Sequence, residues 1–86
     1  MTLSEFLTSK KPLIIMNLSE EQIIKVLMVT KGLVYQSAQE IIKDRFKGKE
    51  VHFTNGGELI DYLQLISCLM LFKVEKYEAN EIDFDK

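Results

Sequence analysis

Eighty-six residues, 47% of them hydrophobic and 28% charged, make one domain and exclude a disordered chain; the net charge of −2 weighs against a nucleic-acid binder. A single cysteine, Cys68, and a single histidine, His52, exclude an internal disulfide and a zinc site. A chain this short buries only about 60 to 65% of its unfolded surface, so oligomerisation is a natural remedy for modest stability.

The first predicted element is a short helix over residues 3–9, because Thr2 and Glu5 stand at the spacing of a capping box. Pro12 stops it and pushes Lys11 toward extended geometry. The apolar run Leu13-Ile14-Ile15-Met16 is too short for a helix, and reads as a single buried strand with no obvious partner. Lys10 and Lys11 ahead of that run imitate a signal peptide, but the run is short and no small-residue cleavage site follows.

Ser19 with Gln22 supplies a second capping box, Leu18 and Ile23 a hydrophobic staple, and Glu20 and Glu21 suit the positive end of a helix dipole. Lys43, Arg45 and Lys47 mark the other end of that helix, with Gly48 placed to close it. Gly32 lies midway. Ile23, Ile24, Leu27 and Met28 before it and Val34, Tyr35, Ala38, Ile41, Ile42 and Phe46 after it share one sector, which predicts a continuous helix over 20–47, about 42 Å long. Val26, Val29 and Leu33 form a second, narrower apolar stripe.

Residues 48–56 read as a loop with Val51 and Phe53 turned inward and His52 outward. Thr54 or Asn55, with Glu58, then caps a last helix over 57–79, about 34 Å long. Its main stripe is Leu59, Tyr62, Leu63, Ile66, Leu69, Met70, Val74 and Tyr77. Ile60, Leu65, Leu71 and Phe72 fall outside that stripe. The tail from Asn80 to Lys86 is acidic and reads as frayed unless Ile82 and Phe84 dock on something.

Two long helices do not fit a compact 86-residue monomer, whose radius of gyration is near about 12 Å. The expected fold class is therefore all-α: a short N-terminal helix, an extended segment, and a long antiparallel helical hairpin dimerising into a four-helix bundle. The candidate interface is Val26, Val29, Leu33, Ile60, Leu65, Leu71 and Phe72.

Chemistry is sparse in this sequence. His52 has no serine or cysteine near it, Gly56-Gly57 lacks the lysine of a phosphate-cradling loop, and the acidic tail lacks the glycine and closing glutamate of a calcium loop. No enzyme activity, catalytic residue, metal or cofactor is expected. The longest apolar stretch, Tyr62 to Phe72, falls short of the roughly 20 residues that cross a bilayer, so the protein is expected in the cytoplasm. Ten lysines against one arginine fit an A+T-rich coding sequence, as in an A+T-rich bacterium or its phage, and a phage, plasmid or other mobile-element origin fits the small size as well.

The leading expectation is a small regulatory protein, itself a homodimer, that binds a protein partner. The alternative is a dimeric helix-turn-helix regulator broken at Gly32. It would read DNA bases with Tyr35, Gln36 and Gln39 and hold phosphates with Lys43, Arg45, Lys47 and Lys49.

Overall fold

The fold is organised around one strand, β1 (Leu13–Leu18), that the sequence left without partners. The computed structural model describes residues 1–47, 49–71 and 73–86. β1 pairs antiparallel with β2 (Val51–Thr54) on one side and parallel with β4 (Glu75–Glu78) on the other. A two-residue strand, β3 (Leu59–Ile60), extends the sheet beyond β2, giving the order β3-β2-β1-β4.

This mixed sheet overturns the all-α hairpin and the four-helix bundle. The physical reason lies in β1. Leu13 and Ile15 belong to one core and Ile14 to another, so both faces of the strand are covered and its residues are apolar without alternation. A strand buried in this way needs hydrogen-bonding neighbours on both edges. β2 supplies one, from the segment expected as a loop, and β4 the other, from the end of the segment expected as a continuous helix over 57–79, where α4 (Tyr62–Leu71) is the only α-helical part among the described residues.

The larger core lies on the face covered by α1 (Leu3–Thr8), α2 (Glu20–Lys31) and α3 (Tyr35–Arg45). Phe6 and Phe53 meet there with ring centroids 5.7 Å apart. Both expected capping boxes form: Thr2 Oγ1 accepts from the Glu5 amide at 3.1 Å and Ser19 Oγ from the Gln22 amide at 3.3 Å.

The continuous helix over 20–47 is also corrected. Gly32 ends α2 in the left-handed region, φ 65°, and donates its N–H to the Met28 carbonyl at 3.1 Å. That conformation costs glycine little, and it turns the chain into α3 after Leu33 and Val34. The apolar phase looked continuous because two separate helices offer their apolar sides to the same core. Breaking the rod fits the chain into 35 × 28 × 20 Å with a radius of gyration of 12.2 Å. α3 closes at Phe46, whose N–H bonds the Ile42 carbonyl; the expected closing residue, Gly48, lies outside the described residues.

Asn55 and Glu58 do not cap a helix. They belong to the hairpin between β2 and β3, in which Thr54 N–H bonds the Glu58 carbonyl at 2.9 Å. The Asn55 side chain instead accepts from the Leu13 amide at 3.0 Å and donates to the Lys11 carbonyl at 2.8 Å. It pins the entry of β1.

The tail is docked. Asp83 donates its N–H to the Met1 carbonyl and accepts from the Leu3 amide, both at 2.9 Å, while Ile82 is buried and Phe84 packs on the main core.

Candidate protein-binding surface

Among the described residues, α4 is the helix that covers the second face of the sheet. Asp61 caps it: its Oδ1 accepts from the Gln64 amide at 2.9 Å, and Gln64 Oε1 accepts from the Asp61 amide at 3.0 Å. This reciprocal pair fixes where the helix begins. Of the ten residues from Tyr62 to Leu71, none is charged.

Two sides of this helix are apolar, and the sheet uses one. Leu65 is buried against Ile14 and Ile60, with Cys68, Leu69, Met16 and Val74 packed around them. At about 100° per residue the opposite side carries Leu63, Ser67 and Met70, with Ile66 and Leu71 at its edges and Tyr62 half a turn round from Leu71. Leu63 is 74% exposed, Met70 81%, Leu71 75% and Tyr62 59%. Single exposed apolar residues are ordinary, but Leu63, Met70 and Leu71 lie within about 100° of one another around this helix and form a patch of the kind that marks contact sites. Burying each such side chain is worth about 1.5 to 3 kcal/mol.

The two ends of this patch differ in charge. Beside Tyr62 and Leu63 at the start of α4 stand Glu50 and Asp61 with Lys49. Beyond Leu69 at its end, an open groove is lined by Lys11, Lys73 and Lys76 with Glu75. The start of α4 is acidic on balance, and the groove past its end, beside the sheet-facing Leu69, is basic.

The sequence-derived interface residues divide. Val26, Ile60 and Leu65 are buried within the chain's own core, and Leu33 is half-buried against it. Val29 is half-exposed on α2, across the sheet from α4, while Leu71 lies in the α4 patch. Phe72 lies outside the described residues. Sequence reasoning assigned Tyr62, Leu63 and Met70 to the core stripe; the structure turns these three to solvent, keeps Leu59, Leu69, Val74 and Tyr77 of that stripe packed on a core, and buries Leu65. The one available signal was Asp61-x-x-Gln64, a capping box that starts the helix later than Gly57.

His52 is corrected as well. It is not an outward loop residue but lies on β2, 1% exposed, beside Ile60 on the face under α4. Its Nδ1 accepts the Asn17 backbone N–H at 3.3 Å, and its Nε2 is buried without a partner. Burial pushes its pKa below the ordinary 6.5, against the opposing pull of Glu50, Glu78 and Asp61. A neutral imidazole sealed in this way is closed to a substrate. Among the described residues, no group of three or more His, Cys, Asp or Glu is placed to hold a metal ion, and no helix is long and apolar enough to cross a membrane.

The nucleic-acid candidates lie on α3 and just beyond it. Gln36, Lys43, Arg45, Lys47 and Lys49 are exposed, Tyr35 is half-exposed and Gln39 half-buried. Glu40 and Asp44 are exposed among them and dilute the positive field. The Arg45 guanidinium lies 5.6 Å from the Phe46 ring centroid.

Compared with protein families, with curated proteins and with solved structures, the chain finds no match.

Proposed function

We propose that this chain is a small non-enzymatic interaction protein that engages another protein surface through the outer face of α4. The observation that carries this reading is the exposure of Tyr62, Leu63, Met70 and Leu71 on a helix without one charged residue. A membrane surface fits less well, because interfacial helices carry lysine and arginine on their polar side and α4 carries none. The test is retention of cellular proteins by the wild-type chain and by Met70→Glu. Proteins held by the first and released by the second support the reading; the same proteins held by both overturn it.

One observation favours a second reading. The helix breaks at Gly32 and restarts at Tyr35, as a helix-turn-helix regulator requires, with Tyr35 and Gln36 exposed at the start of α3. A gel shift that weakens steeply with salt and with Lys43→Ala would support it. No shift on any duplex at low salt removes it.

A further inference from the structure

We propose that the outer face of α4 is occupied by a second copy of this chain, its α4 running antiparallel about a two-fold axis between Ile66 and Ser67. This rests on the preceding reading of α4 as a contact surface and names its occupant. Three observations carry it.

The first is self-complementarity. An axis between Ile66 and Ser67 places Leu63 against the partner's Met70 along the centre of the seam, with Tyr62 and Leu71 on its two opposite edges. Ser67, exposed at the centre of the face, is small enough for two helices to approach closely. No charge on α4 opposes its own image.

The second is charge. Antiparallel pairing carries the rim of Glu50 and Asp61 toward the partner's Lys73 and brings Lys73 and Lys76 toward the partner's Glu50. Parallel pairing would set like against like. The helix dipoles also align favourably when antiparallel. A heterologous partner would need to supply both signs in this order; a second copy already has them.

The third is area. Leu63 and Met70 at the centre, with the near sides of Tyr62 and Leu71 at the edges, offer roughly 400 Å² per copy, hence about 800 Å² in total, the range of weak interfaces. The result is a weak, concentration-dependent dimer, dissociating in the micromolar range.

The test places a photo-crosslinking residue, p-benzoylphenylalanine, at Leu63 of the full chain, where it replaces a large side chain opposite the partner's Met70, in the cell and as pure protein. The proposal expects an adduct of twice the chain mass, joined within the partner's α4 and absent when Met70→Glu is also present. With the pure protein, Glu50→Lys and Lys73→Glu should each weaken dimerisation roughly threefold, and the double exchange should restore it. An adduct only with some other protein overturns the second copy while leaving α4 a contact surface. No adduct with any protein overturns both. Dimers indifferent to Met70→Glu overturn the α4 interface.

Discussion

Asn17 and His52 are joined by one hydrogen bond, backbone N–H to imidazole Nδ1 at 3.3 Å, and that bond exists only while the imidazole is neutral. It sits where β1 bulges between Ile15 and Leu18, with Asn17 at φ 60° and its side chain donating to Glu78 at 3.0 Å. The bulge turns the Asn17 amide toward β2, where the histidine receives it.

Protonation of His52 would set two donors face to face and charge a buried ring. Its folded pKa lies below the ordinary 6.5, so the unfolded chain binds the proton more readily. The stability that depends on the neutral ring is therefore complete above 6.5, and is lost as pH falls through the lower folded value. Chemical denaturation at stepped pH should show the midpoint falling over that window. His52→Leu should flatten the dependence while costing about 1 to 3 kcal/mol at neutral pH, because the Asn17 amide loses its acceptor. An unchanged slope in the variant would place the titration elsewhere.

Asn55 holds the turn before β1 through its side chain, bonding the Leu13 amide and the carbonyls of Ser9 and Lys11. Asn55→Ala removes three hydrogen bonds and leaves partly buried backbone groups unsatisfied, so a loss of about 2 to 3 kcal/mol is expected from urea denaturation. A loss under about 0.5 kcal/mol would show that water replaces the amide at little cost.

These two residues show what was legible. The caps of α1 and α2 rest on contacts between near neighbours in sequence, and the apolar run of β1 announces its burial by composition, so all three were readable. Asn55 to Leu13 and His52 to Asn17 join positions far apart, and nothing local signals them. Asn55 matched a helix-cap pattern equally well. The run after Asp61 was ambiguous for a different reason. With apolar residues on every side of α4, periodicity does not say which side faces the sheet, so the exposed patch could be sensed as surplus but not located. The rod through Gly32 came from treating a shared apolar phase as proof of one helix.

Gly32 can be tested directly. A Cβ there would meet nothing within 4 Å, so the cost of Gly32→Ala is conformational, arising from φ 65° alone. About 1 kcal/mol is expected, or a fall in Tm of roughly 4 to 8 °C, with Gly32→Asn costing less. A rise in stability and helicity would instead indicate that α2 and α3 can fuse.

The docked tail makes a further prediction. Ile82 is 7% exposed, and Asp83 bonds both Met1 and Leu3. Ile82→Ala should cost about 2 to 4 kcal/mol, and removal of residues 82–86 more, measured by thermal unfolding. A truncated chain with unchanged Tm would contradict the docking.

The outer face of α4 is the centre of the account, and sedimentation equilibrium across about 10 µM to 1 mM probes it most directly. The wild-type weight-average mass should climb from near 10.0 kDa toward twice that value, while Met70→Glu and Leu63→Glu, folded by circular dichroism, stay at the monomer mass. A wild-type chain that remains monomeric across the whole range would contradict a second copy on that face, and variants that associate as the wild type does would contradict the face itself.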